Sequence, residues 1–334
     1  MHVARRLAVV LVAVPALALA GCGGSNNDDV AAPSSSSTSV DDSPGSWPRE
    51  IAHEAGTTEI PEKPVTIVST SVTLTGTLLA IDAPVKATAA ASVSPLTDDK
   101  GFFQQWAGVA DQRGVEVLYP NLQLDLEAVE AIEPDLIVGS SLGSDSTMDA
   151  YDQLSEIAPT IILDYGANSW QELSNQLGKA TGLESNADAV ISEFATLVSD
   201  TAADLQLPDQ PVAVISYNGA DGTGVFMPNS SQGTTMTDLG FEYIKVPTEL
   251  AARARSDASF FTPENASTAL AEAKTLFPVP TSGDPTAAIT ADPLLANQPA
   301  VSGDALYLTP PTAFRLDYYS GRQLVQKMDE YFGS

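Results

Sequence analysis

The sequence predicts an α/β protein of two lobes, each with a mainly parallel sheet flanked by helices, joined by one long interlobe helix. Three observations predict it. Short apolar runs without polar alternation, as in strands covered on both faces, take turns with stretches that carry a helical stripe. A long helical pattern, Glu184 to Leu207, lies near the middle of the chain. Behind it the strand and helix order starts again.

In order, Val65 to Ser69 (VTIVS) reads as a buried strand, Leu74 to Ile81 as a helix and Val85 to Ala90 as the next strand. Leu124 to Glu133 carries the stripe Leu126, Val129, Ile132, and Pro134 stops it. Leu136 to Gly139 (LIVG) follows as a strand, then a helix near Met148 to Ala158, then a third apolar strand, Thr160 to Asp164 (TIILD). The stripe of the long helix is Ala187, Val190, Ile191, Phe194, Leu197, Val198 and Leu205, ended by Pro208. Pattern alone allows this helix either to cross between lobes or to pack on one sheet. Pro211 to Tyr217 (PVAVISY) restarts the order, and Val225 to Pro228 reads as another extended segment.

Ahead of this body stand Arg5 and Arg6, an apolar run from Leu7 to Ala20, and Leu19-Ala20-Gly21-Cys22. These are the parts of a secretory signal cut before a cysteine that is then acylated. The run is shorter than the roughly twenty apolar residues a bilayer span needs. Residues 1–21 are therefore read as a lipoprotein signal peptide and Cys22 as the lipidation site. Residues 22–46, rich in Ser, Gly, Asp and Pro, are read as a flexible tether reaching roughly 25 to 30 Å. The remaining boundaries are 47–183 for the N-terminal lobe, 184–207 for the interlobe helix and 208–334 for the C-terminal lobe. The expected location is the cell membrane, lipid-anchored and facing away from the cytoplasm, in a periplasm or on a cell surface.

The chain has 15 Lys and Arg against 43 Asp and Glu, a net charge of −28. Such a polyanion repels phosphate backbones and anionic lipid, which excludes nucleic acid. A single cysteine rules out an internal disulfide, and His53 is the one histidine behind the signal, so the usual zinc ligand sets cannot be assembled. G-x-S-x-G, Walker and H-E-x-x-H motifs are missing. Gly219 to Gly224 (GADGTG) follows a strand like a dinucleotide loop, but an extended segment rather than a helix comes next. No catalytic residue and no cofactor is expected; the chain is read as a binding protein, not an enzyme.

Several segments are similar to the ferric enterobactin-binding proteins, within the helical-backbone class of periplasmic binding proteins. They are Ile67 to Gly76 (IVSTSVTLTG) with Leu78 to Val85, Gly101-Phe102 with Gln105-Trp106, Tyr151 to Leu154 with Ile157 to Thr160, and Phe314 to Ser320 (FRLDYYS). Broader marks of the class are Leu126 to Val129 leading to Pro134 to Ile137, and Asp292 to Leu295 leading to Pro299 to Val301 and a strand at Leu306 to Leu308. The resemblance spans about Trp47 to Phe332. It implies a substrate-binding lipoprotein of an ABC importer that captures an iron(III)-siderophore complex, of catecholate and enterobactin-like type. A permease with a cytoplasmic ATPase would then take delivery. The same fold could serve another iron chelate, hydroxamate, citrate or haem, or an envelope protein of adhesion or signalling.

A ferric tris-catecholate is a compact trianion with aromatic faces, and a polyanionic protein holds one only through locally placed cations. The resemblance makes Arg315, in the FRLDYYS run, the foremost ligand-binding residue, with Tyr318 beside it. An arginine fork donates in pairs and its face stacks on rings; the plain alternative pairs Arg315 with Asp317 on the surface. Arg253 and Arg255, in LAARARSD, either add positive potential or are solvated. Phe226 falls where the family has a ligand-contacting tryptophan, and reads equally as core. The loop Ala91 to Asp99 lacks the family's arginine, leaving Lys100 as the nearest cation. An acidic residue that pairs with the permease in the broader class falls at about Gly76 in the first lobe, where this chain has none. Asp238 and Glu242 are the permease-docking candidates of the second lobe, with solvation as the alternative.

Overall fold

A computed structural model describes residues 45–334. The signal peptide, Cys22 and all but the end of the tether lie outside the described residues.

The described chain opens on an antiparallel hairpin of β1 (Arg49–His53) and β2 (Gly56–Ile60). His53 is half-buried there, its Nε2 2.9 Å from Thr58 Oγ1, and burial lowers its pKa. The first lobe then runs β3 (Ile67–Ser69), α1 (Val72–Ala80), β4 (Val85–Thr88), α2 (Gln104–Arg113), β5 (Glu116–Val117) and α3 (Leu126–Ala131). It continues with β6 (Leu136–Ser140), α4 (Tyr151–Ile157), β7 (Thr160–Leu163) and α5 (Trp170–Thr181). Its five strands stand in the order β5-β4-β3-β6-β7, every neighbouring pair parallel. β3, β6 and β7 are buried at every residue, which is why their sequences show no alternation. Side chains start the helices: Ser71 accepts from Leu74 N–H, Asp125 from Ala128 N–H, and Ser169 with Glu172 forms a capping box. Val65, read as strand, is 73% exposed. Its amide and that of Thr66 both donate to the Asp135 carboxylate at 2.9 Å instead of to a strand.

α6 (Glu184–Asp204) is 21 residues long, about 32 Å. It stops before Leu207 because Leu205 bridges to Gly333 and Gln206 N–H donates to Phe332 O at 2.7 Å. The second lobe runs β8 (Val212–Tyr217), β9 (Thr223–Phe226), α7 (Ser231–Asp238), β10 (Arg253–Ala254) and β11 (Ala258–Phe261). Then come α8 (Pro263–Ala269), β12 (Thr275–Pro278), α9 (Thr286–Ala291), α10 (Pro299–Ser302) and α11 (Tyr318–Phe332). α6 packs on α5 and on both α7 and α11, so it touches both lobes.

The second sheet, in the order β10-β11-β9-β8-β12, is mixed, with only β8 and β12 parallel. The sequence predicted mainly parallel strands here as well. Two tight reversals account for the difference, since a short connection can only make antiparallel neighbours. One is Asn218 to Gly222, closed by Asn218 N–H on Gly222 O at 2.9 Å; Gly222 has φ +93°, and a Cβ there would run into the Phe261 carbonyl. The GADGTG segment is thus a hairpin turn running straight into β9, with a strand and not a helix behind it. The other reversal, at Arg255 to Asp257, turns β10 into β11. Leu306 makes a single bridge to Leu276, not the strand expected at 306–308.

Each lobe has its own core. Ile67, Leu78, Trp106, Val138 and Ile161 sit in the first, and Val214, Phe241, Phe277, Leu324 and Met328 in the second. Trp170 and Phe194, from α5 and α6, belong to the second and pack edge to face at 5.0 Å. The lobes also meet where α11 lies against α1 and α2.

Candidate functional site

A hollow of about 310 Å³ lies beside Arg315 and is walled by the second lobe alone. Its floor is the inner face of β9 and β11, with Gly224 and Ala258 leaving room; Arg253, Arg255 and Arg315 line it. All three predicted arginines therefore come together. β10 pairs Arg253 with Phe260, so the Arg253 guanidinium lies over that ring at 4.2 Å, and Arg255 lies over the same ring at 5.2 Å. Arg253 is exposed; the Arg255 and Arg315 side chains are only 19% and 16% exposed.

Arg315 lies at the junction of three openings: the hollow, a narrow cleft lined by Thr73, Tyr165, Ser231 and Gln232, and a small gap between Leu96, Phe103 and Pro311. Its guanidinium lies over the ring of Phe314, at 4.4 Å, and over that of Tyr165 from the first lobe, at 5.2 Å. The Tyr165 hydroxyl donates to Asp145 at 3.2 Å, and that buried carboxylate also receives Ser71 Oγ at 2.6 Å and Thr73 N–H at 3.1 Å at the start of α1. Burial foremost, and then Asp145, push the Tyr165 phenol well above its ordinary pKa, while Arg315 pulls the other way. Tyr165 stays neutral at any physiological pH.

The surface pairing of Arg315 with Asp317 does not occur. Arg315 instead faces Asp257, Nη1 to Oδ2 at 3.8 Å, and the same carboxylate takes both fork nitrogens of Arg255, Nε at 2.8 Å and Nη2 at 2.7 Å. Asp257 and Tyr165 were missed by sequence reasoning. The available signals were the spacing of Arg255 and Asp257 across a reversal, and the position of Tyr165 just past the carboxyl end of a parallel strand, where ligands of α/β sheets gather.

The first-lobe wall near the hollow carries no cation in this stretch: Leu96, Phe103 and Gln105 face Phe314 and Arg315. Lys100 is turned away, paired with Asp111 and lying over Phe102 at 5.3 Å.

Phe226 lines the hollow by one edge but is 3% exposed and belongs to the second core. Tyr318 does not join the arginines. Asp317 caps α11 through Ser320 N–H, the chain turns there, and Tyr318 packs against Trp170 at 6.0 Å and accepts from Arg322 at 3.2 Å. Asp238 and Glu242 are exposed, and burial of its surroundings raises the Asp238 pKa. Gly76 is buried and faces Asp317: a Cβ there would meet the carboxylate and come within 2.8 Å of Trp106 Cδ1. An acidic docking residue cannot occupy that position, which looks inward.

Asp317 is itself buried, and burial raises its carboxyl from 3.8 to about 6, against hydrogen bonds from Ser320 and Gln105 that lower it. A group that holds its proton more tightly when folded stabilises the fold fully below its unfolded pKa, and that contribution is lost as pH rises through about 6. The melting temperature of the wild type should therefore fall, relative to that of Asp317→Asn, between about pH 4 and 6.5. Parallel melting curves of the two proteins across this window would refute the assignment.

Comparison with known proteins agrees with this architecture. A model of the periplasmic binding protein family matches residues 67–313. The chain is 41% identical over 292 residues to the ferric enterobactin-binding periplasmic protein FepB of Escherichia coli O6:H1, covering 86% of this chain and 91% of that one. It is 27% identical over 280 residues to the probable siderophore-binding lipoprotein YfiY of Bacillus subtilis, covering 81% and 77%. The crystal structure of holo-ViuP superposes with a TM-score of 0.80 at 35% identity, covering 86% of this chain and 96% of that one. A two-lobed α/β body with a long shared helix, matched along most of its length by a family model and by a relative of this identity, belongs to the periplasmic binding protein family.

Proposed function

We propose that the protein is the extracytoplasmic solute-binding component of an ABC importer, that it captures a ferric siderophore of catecholate type, and that it hands this cargo to the permease. One observation carries the reading: in a chain of net charge −28, three guanidinium groups converge on one aromatic-walled hollow. A volume of about 310 Å³ is within the range of small-molecule sites. Cations held out of bulk water attract a trianion far more strongly than solvated ones do. The likeness to a ferric enterobactin-binding protein supports iron-catecholate as the cargo. In this reading Arg315, Arg255 and Arg253 bind the anion, Phe260 and Phe314 meet its rings, and Phe226 backs the hollow. Asp238 and Glu242, both exposed, are the proposed permease contacts, and Cys22 the proposed lipid anchor. Among the described residues no helix is long and apolar enough to cross a membrane. The likeness to a siderophore-binding lipoprotein supports acyl chains as the attachment.

Tryptophan fluorescence tests the proposal. Trp170 lines the cleft beside Arg315, and Trp106 lies under the first-lobe wall, 6.3 Å from Phe103. Both should be quenched on titration with a ferric tris-catecholate at submicromolar concentration, with a rise in melting temperature because only the folded state binds. A melt and an emission spectrum indifferent to catecholate, hydroxamate and citrate ferric complexes alike would sink siderophore capture and favour an adhesive or signalling role.

A further inference from the structure

We propose that Asp257 is a specificity-determining residue that turns compact oxyanions away from the arginine hollow. The inference deepens the reading of the hollow as an anion site and rests on it. Arginine recognises carboxylates and phosphates best through its fork, two parallel N–H donors meeting two oxygens. The Nε and Nη2 edge of Arg255 is already filled in this way by Asp257, at 2.8 and 2.7 Å. The same carboxylate stands 3.8 Å from Arg315 Nη1. It is fixed in place: Asp257 is 8% exposed, and its carbonyl accepts Met227 N–H at 2.9 Å next to β9. Asp257 is the only carboxylate among the residues lining the hollow and the adjoining cleft.

Phosphate or a citrate carboxylate would have to evict Asp257 to reach the fork. The exchange swaps one bidentate pair for another and leaves a displaced buried carboxylate with only Arg315, at 3.8 Å, to face it, so it gains nothing. Entering without eviction places two negative groups side by side on one guanidinium. A ferric tris-catecholate meets neither obstacle. Its charge is spread over several oxygens and ring faces, and it can use the outward N–H groups of the arginines, the rings of Phe260 and Phe314 and the summed field of three cations. Selectivity of this kind comes from a built-in repulsive element rather than from tighter contact with the preferred ligand.

Calorimetry with inorganic phosphate, citrate and a ferric tris-catecholate tests the proposal on the wild type and Asp257→Asn. Phosphate and citrate should bind the variant at least about tenfold more tightly than the wild type, a gain larger than the one catecholate shows. Unchanged phosphate and citrate affinity in the variant would overturn the proposal. So would competition by millimolar phosphate against catecholate in the wild type, a measurement that needs no variant to fold. If neither protein binds catecholate but the variant gains phosphate, the gating role of Asp257 stands and the cargo assignment fails.

Discussion

Replacing Arg315 by alanine should weaken ferric catecholate binding by roughly 1.5 to 3 kcal/mol, about 10- to 150-fold in Kd, with the fold intact. The size follows from its setting. Arg315 is the best shielded of the three cations lining the hollow, 16% exposed, over the rings of Phe314 and Tyr165 and open to both the hollow and the cleft. A charge withdrawn from water is screened little by solvent or salt. Exposed Arg253 should matter less, and more so at low salt than at high. Arg315→Lys should recover part of the loss, because an ammonium keeps the charge but gives up the fork and the stacking face. Equilibrium titration of the fluorescence change reads all three variants. Equal affinity in wild type and Arg315→Ala would remove this residue from the site.

Substitution at Gly76 should damage the fold rather than the ligand contacts. A Cβ at this position points into the Asp317 carboxylate and toward Trp106, and both neighbours are buried. Neither can retreat: Asp317 is tied to Ser320 as the cap of α11, and Trp106 is packed 5.3 Å from Phe102. Overpacking of this kind costs about 1 to 3 kcal/mol. Gly76→Ala should lower the melting temperature by about 2 to 10 °C for a body of this size. Gly76→Asp should cost more, since it also sets an unpaired carboxylate against Asp317 in a dry contact. Circular dichroism melts decide it, and a wild-type transition in Gly76→Asp would show that the lobes can separate there freely.

The first lobe was legible because its strands are covered on both faces. Runs such as Ile161 to Leu163 carry no polar residue to confuse the period, and parallel order follows once helices separate them. The second sheet was less legible because its direction is set by turns. GADG at 219–222 closes a hairpin, while the extended segment read behind it left the direction of that strand open. Val65 misled because an apolar residue at a strand entrance looks buried until Asp135, far along the chain, claims its amide. At the site, the arginines were found from charge scarcity and from resemblance, but their partners were not. Asp257 and Tyr165 gain their meaning from contacts across the hairpin and across the lobes, which no local spacing records. Tyr318 was placed beside Arg315 by sequence adjacency, and the cap at Asp317 turns it toward Trp170 instead.

The arginines lining the hollow all reach out from the same half of the molecule, and the facing wall beside Arg315 offers Leu96 and Phe103. A cargo gripped in this manner rests in a palm, with the other half as a thumb laid across it. Lifting the thumb would take Tyr165 off one finger and leave the others where they are, so unloading would also need something that pries at the palm's charged fingers or offers the anion something more attractive.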